Sequence, residues 1–187
     1  MKSILKIIAV LTIVIGLLPV SFFFAYDFLY FQPRMTEIKS FITFASGEEK
    51  NLSVTATKLL EIEFRNKEYI YASKLILHKL NPASTRQNNL YQHFESAIWS
   101  GLIKFHLSIK EQQIIIATQS PMGNNIIGFS AAAEYLFNKK LTSLSAQELA
   151  TIIALTRAPG AYSLSEDHLN RRRDFLLKEL SNYYLVE

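Results

Sequence analysis

The feature that most constrains the fold is an uncharged apolar run near the N-terminus. From Ile7 to Tyr26 the chain reads IIAVLTIVIGLLPVSFFFAY, with no charged side chain. As a helix this run is about 30 Å long, which matches the hydrocarbon core of a bilayer. It is longer than the apolar region of a signal peptide, and Phe23 and Ala25 form a poor cleavage site. We therefore expect a retained membrane anchor rather than a cleaved signal peptide or a buried core helix.

The charges beside this run predict its orientation. Lys2 and Lys6 precede it, and basic residues favour the cytoplasmic side of a membrane. The sequence thus predicts a single-pass protein with a cytoplasmic N-terminus. Residues 1–27 form the N-terminus and anchor, and residues 28–187 form a domain on the outer side of the membrane, in contact with membrane lipid.

The composition of the chain limits the chemistry of any site. There is no cysteine, which excludes disulfides, thiolate nucleophiles and cysteine-ligated metals. The four histidines do not have the spacing of metal ligands. The net charge of +4 is modest. We expect such an exported basic domain to meet anionic headgroups or a lipid phosphate rather than nucleic acid.

Helical periodicity dominates the chain after the anchor. Apolar residues recur three and four positions apart over 56–80, and 90–107 and 110–118 are further helical stretches. Within the last stretch, Ile114 to Ile116 also suit a strand. Other strand signals are sparse. The predicted fold is therefore all-α, with one transmembrane helix and a compact bundle of short helices.

Two serines are predicted to begin helices near the C-terminus. Ser145 and Glu148 enclose the sequence SAQE, which is typical of a capping box. The helix that it opens should stop before Pro159. Ser165 can cap the last helix.

The order of motifs after residue 122 is more specific than any single motif. The segment reads GNNIIGFSAAAEYLFNKKLTSLSAQELATIIALTRAPGAYS. It resembles the end of the peptidoglycan glycosyltransferase domain of class A penicillin-binding proteins and monofunctional transglycosylases. In that family a glycine loop, a G-x-E-A-A-A segment, an L-S-x-x-E helix, an A-P-x-x-Y motif and an arginine-rich helix follow one another. The matching positions here are Gly123, Gly128, Ala131, Ala132, Ala133, Phe137, Leu144, Ser145, Glu148, Ala158, Pro159 and Tyr162, with Arg171 and Arg172 at the late arginines.

The resemblance, which is best over 123–187, implies a reduced lysozyme-like helical domain at the bacterial inner membrane. The family polymerises lipid II, a disaccharide-pentapeptide carried on a polyprenyl pyrophosphate. The alanines at 131–133 would belong to the helical floor beneath the glycan cleft, where small side chains permit tight packing. In the family, one glutamate is the general base. A second glutamate, with basic residues or a divalent metal, stabilises the phosphates.

The acidic residues of that chemistry are not found at their expected positions. Ala45 and Ser46 stand where the first motif has Glu-Asp, and Ile115 and Gln119 stand where the second has Glu and Asn. Ser130 replaces the glutamate of the G-x-E-A-A-A segment. Loss of a general base typically costs about 10²–10⁴-fold in rate. The sequence therefore predicts an impaired enzyme.

A few charged residues remain as candidates for a site. Glu48 and Glu49 lie near the expected base and either replace it or are solvated loop carboxylates. Lys110 and Arg157 either contact the pyrophosphate or are ordinary surface residues. A divalent metal is expected only if activity remains.

Three hypotheses follow from this sequence. The first is a membrane-anchored, catalytically impaired relative that binds lipid II or proteins of the cell-wall synthesis machinery. The second is an active but divergent transglycosylase that uses Glu48 or Glu49. The third is an unrelated small α-helical envelope protein.

Overall fold

The computed structural model of the chain describes residues 2–81, 89–157 and 166–186. Two compact units divide the chain, Met1–Lys39 and Ser40–Glu187, and each is described by itself. Pro159, Tyr162 and Ser165 lie outside the described residues, so the predictions made for them stay predictions.

The first unit is helical throughout its described residues. Helix α1 spans Lys2–Tyr26 and contains Pro19 without ending there. A π-helical turn, Asp27–Phe31, and a 3-10 turn, Gln32–Arg34, continue it to α2, Met35–Thr43. The stretch Ile15–Thr43 contains a window of mean hydropathy 1.3 that is only 11% buried. The expected long apolar helix is confirmed, and its length and composition suffice to cross a bilayer.

The second unit is a bundle of short helices, which confirms the all-α fold class. Residues 114–116 belong to a helix, so the strand alternative for them is wrong. A small antiparallel hairpin pairs β1, Pro121–Gly123, with β2, Ile126–Ile127. The helices are α3 Gly47–Lys50, α4 Val54–Phe64, α5 Glu68–Leu80, α6 Asn89–His106, α7 Ile109–Gln119, α8 Phe129–Phe137, α9 Ala146–Leu155 and α10 Glu166–Val186, with a 3-10 turn at Leu141–Ser143.

Three of these helices begin with a capping box. Ser145 and Glu148 form the predicted capping box at the start of α9. The same box opens α3 with Ser46 and Glu49, and α7 with Ser108 and Glu111. In each box the serine and glutamate side chains satisfy amides that have no partner within the helix. The boxes thus fix where three of the short helices start.

The core joins two groups of helices in this unit. Helix α5 packs against α6 and α7, whereas α9 packs against α4 and α10. Helix α8 contacts both α7 and α9. Ile115, Trp99 and Ile152 are fully buried in this core. Burying a large apolar side chain stabilises the fold by about 1.5–3 kcal/mol relative to its exposure. Each of these three residues therefore contributes substantially to the stability of the unit.

Candidate functional site

A basic pocket of about 690 Å³ lies beside the turn between α4 and α5. Arginines from the end of α9 and from α10 complete its wall. Among the residues that the structure describes there, no Asp or Glu lines it. The lining residues are Phe64, Arg65, Lys67, Ile70, Tyr71, Lys74, Arg157 and Arg172. Five of these eight carry a positive charge, so the pocket is suited to an anion.

A buried carboxylate holds two of the pocket's arginines. Glu63 on α4 is fully buried. Its Oε1 accepts from Nε of Arg157 at 2.5 Å, and its Oε2 accepts from Nε of Arg172 at 2.9 Å. Its backbone carbonyl accepts from Nη2 of Arg157 at 2.9 Å. The side chains of Arg157 and Arg172 remain 50% and 29% exposed. One carboxylate therefore ties α4 to the end of α9 and to α10.

Aromatic side chains form the apolar part of the same pocket. The rings of Phe64 and Tyr71 stack with their centroids 4.9 Å apart. The guanidinium of Arg157 lies 5.8 Å from the centroid of the Phe64 ring. The hydroxyl of Tyr71 donates to the carbonyl of Thr156 at 2.8 Å. Burial raises the pKa of Tyr71, which keeps this phenol neutral.

Glu49 is engaged in hydrogen bonds on both carboxylate oxygens. It is 7% exposed and lies in α3, so it is not a solvated loop carboxylate. Oε2 of Glu49 accepts two hydrogen bonds from Ser46, one from the backbone N–H at 3.2 Å and one from the hydroxyl at 3.0 Å. Its Oε1 accepts from the backbone N–H of Ser130 at 3.2 Å. The carboxylate thus sits at the N-terminus of α8, where the helix dipole favours negative charge.

Glu48 has a structural contact of its own. Its Oε2 accepts from the backbone N–H of Leu141 at 2.7 Å. Together the two glutamates connect α3 to the start of α8 and to the following 3-10 turn. Neither residue lines the basic pocket.

The two residues predicted to bind phosphate lie in different places. Arg157 lines the basic pocket. Lys110 is exposed near the start of α7 and lines a separate pocket of about 420 Å³, together with Lys50 and Gln113. The sequence motifs had marked Arg172 as a late arginine of the family, and it lines the basic pocket. Sequence reasoning missed Arg65, Lys67 and Lys74 of this pocket and the buried Glu63. The basic composition of the turn at 65–67 is a local signal for Arg65 and Lys67.

Several residues of the family motifs meet around the hairpin. Gly123, Ala132 and Phe137 line an apolar pocket of about 370 Å³ between the hairpin, α8, α9 and α10. Ala132 and Ala133 are fully buried where α8 packs against α7 and α9. Gly128, which precedes α8, has a φ of +90°. Glu148 caps α9, away from any of these cavities.

No metal site accompanies these pockets in the described part of the chain. Within 2–81, 89–157 and 166–186, no three residues among His, Asp and Glu are grouped so that they could hold a metal ion.

A comparison with known families connects this architecture to the sequence motifs. A family model described as Transglycosylase matches residues 79–181, which is more than half of the 187 residues. The matched segment includes Lys110, Arg157 and Arg172 but not Glu48, Glu49 or Glu63. No curated protein matches the chain. The match rules out the hypothesis of an unrelated envelope protein. Because the match covers more than half of the chain, the chain belongs to the transglycosylase family, whose members act in peptidoglycan synthesis outside the cytoplasm.

Proposed function

We propose that this transglycosylase-family protein binds the lipid-linked precursor of peptidoglycan without polymerising it. The basic pocket supports this proposal, because it offers five cationic side chains and no carboxylate among its described lining residues. Arginine and lysine bind phosphate oxygens through charge-assisted hydrogen bonds. The pyrophosphate of lipid II has the chemistry that such a pocket accepts.

The hydrogen bonds that engage Glu48, Glu49 and Glu63 support the loss of catalysis. A general base needs a carboxylate that can reach the acceptor hydroxyl and take its proton. Both oxygens of Glu49 already accept hydrogen bonds, and Glu48 holds the backbone of Leu141. Glu63 accepts from two arginines. At Ala45 and Ile115, where the family motifs have glutamates, the side chains are apolar and buried.

The N-terminal helix supports an anchored protein. We propose that α1 remains attached as a single-pass anchor with its N-terminus in the cytoplasm. The domain would then lie on the outer side of the bacterial inner membrane, where lipid-linked precursor is presented. Apolar side chains of this helix such as Leu17, Leu18 and Phe22 are more than half exposed, as contact with lipid requires.

The test combines binding and turnover in one experiment. Detergent-solubilised full-length protein is titrated into fluorescent lipid II with and without a divalent metal, beside an active family member. We expect saturable binding, measured by fluorescence anisotropy, and no glycan polymer on a gel. Polymer that disappears in Glu48→Gln or Glu49→Gln would favour the divergent enzyme instead. Absence of binding would favour a protein of the cell-wall synthesis machinery as the partner.

A further inference from the structure

Glu63 has an unfavourable charge for a residue that touches an anion-binding pocket. Its carboxylate pairs with Arg157 and Arg172 of the pocket wall, so the three side chains together carry one positive charge rather than two. Coulombic attraction between the pocket and a phosphate is weaker with this carboxylate than without it. Any benefit of Glu63 to anion binding must therefore come from geometry.

We propose that Glu63 is a positioning residue that holds Arg157 and Arg172 in the arrangement that binds a pyrophosphate group. This inference rests on the proposed function, because it assumes that the basic pocket takes the phosphates. The carboxylate accepts a hydrogen bond from the Nε–H of each guanidinium. Within 2–81, 89–157 and 166–186, no hydrogen bond engages Nη1 of Arg157 or either Nη of Arg172, so these donors can face a ligand.

The burial of Glu63 makes it a rigid support. The side chain is fully buried, whereas Arg157 and Arg172 are 50% and 29% exposed. A free arginine side chain samples many rotamers, and binding an anion then requires that freedom to be lost. Contacts from a buried carboxylate restrict that freedom before the ligand arrives. Arg157 lies in the turn after α9 and Arg172 lies on α10, and contacts with a single residue hold the two guanidinium groups in place.

Two substitutions at this position separate geometry from charge. Glu63→Gln removes the negative charge beside the pocket, and its amide oxygen can accept from only one of the two arginines, because its NH2 group is a donor. Glu63→Asp keeps the charge but withdraws the carboxylate by one methylene. If Glu63 acted through charge alone, Glu63→Gln would bind pyrophosphate more tightly and Glu63→Asp would bind it like the wild type. Positioning predicts weaker binding in both variants, by roughly tenfold, the cost expected for one misplaced charge-assisted hydrogen bond.

The measurement is a calorimetric titration of inorganic pyrophosphate into the detergent-solubilised full-length protein at low salt. Glu61→Gln is the matched control, because Glu61 lies on the same helix and pairs with Lys58 outside the basic pocket. This control should bind like the wild type. The fitted stoichiometry and circular dichroism separate a lower affinity from a smaller folded fraction. A purely structural role would lower the thermal stability and leave the Kd of the folded protein unchanged.

A second measurement needs no substitution. In wild-type protein labelled with ¹⁵N-arginine, the Nε–H signals assigned to Arg157 and Arg172 should be protected from solvent exchange before any pyrophosphate is added. Signals that become protected only after addition would overturn the positioning role. Wild-type protein that does not bind pyrophosphate would overturn the proposed function and the positioning role together. Wild-type binding with an unchanged Kd in Glu63→Asp would overturn the positioning role alone.

Discussion

The backbone N–H of Ser130 donates to Oε1 of Glu49 at 3.2 Å, across 81 residues of sequence. The hydroxyls of Ser130 and Ser46 lie 3.1 Å apart beside this contact. Glu49 lies on α3, so a carboxylate from another helix reaches the start of α8.

Gly128 is predicted to be required for the approach of Glu49 to α8. A Cβ at this position would lie 3.0 Å from Oε1 of Glu49 and 3.1 Å from the carbonyl oxygen of Thr118, at a φ of +90°. We expect Gly128→Ala to lower the free energy of unfolding by about 1–3 kcal/mol. Chemical denaturation of the two proteins measures this difference. Gly47→Ala is the control, because a Cβ there meets nothing within 4 Å and should be neutral or slightly stabilising.

Glu49 is predicted to stabilise the fold more than an ordinary capping glutamate does. Glu49→Gln keeps the size of the side chain but removes a charge that faces the N-terminus of α8. We expect a loss of about 1–2 kcal/mol in the free energy of unfolding. Glu111→Gln is the matched substitution, because Glu111 closes an exposed capping box at α7 in which glutamine also serves. Equal losses in the two variants would contradict the additional role of Glu49.

The sequence predicted those parts of the fold that depend on local interactions. Helical spacing and the Ser145 capping box require only neighbours along the chain, and both predictions are confirmed. The run at 114–116 was ambiguous, because β-branched residues suit strands while the Ser108–Glu111 box selects a helix. The contacts of Glu49 and Glu63 join positions 81 and 94 residues apart. No local pattern signals such a contact, and the basic pocket could not be assembled from the sequence for the same reason.

Glu68 is predicted to oppose folding at neutral pH. This residue is buried, and burial is the main cause that raises its pKa above the ordinary 4.5. A raised pKa in the folded state means that folding is favoured by the protonated form. The contribution of protonated Glu68 to the free energy of unfolding is complete below pH 4.5. It is lost as the pH rises through the pKa of Glu68 in the folded protein. We expect Glu68→Gln to raise the melting temperature at pH 7 and to have no such effect near pH 4. A lower melting temperature at pH 7 would show that the charged form is stabilised instead.

Glu148 is predicted to stabilise the fold with a pH dependence opposite to that of Glu68. Its hydrogen bond with Lys139, at 2.7 Å, and the capping contacts at Ser145 lower its pKa from 4.5 to about 2. The ionised form therefore favours folding above pH 4.5, and this contribution is lost as the pH falls toward 2. We expect Glu148→Gln to be less stable than the wild type at pH 6. The two proteins should unfold at the same denaturant concentration near pH 2. A difference that persists unchanged at pH 2 would assign the effect to packing rather than charge.

Lys74 and Lys110 are predicted to differ in their effect on phosphate binding. Both are exposed, but Lys74 lines the basic pocket and Lys110 lines a separate one. Lys74 makes no contact with Glu63, so Lys74→Gln changes the pocket's charge without disturbing the buried ion pairs. An exposed charge contributes up to about 1 kcal/mol, so we expect a loss of about two- to fivefold in pyrophosphate affinity at low salt. Lys110→Gln changes the net charge equally and should bind like the wild type in the same titration. A larger loss of pyrophosphate affinity in Lys110→Gln than in Lys74→Gln would indicate that the phosphate binds at the start of α7, where the sequence places the candidate Lys110.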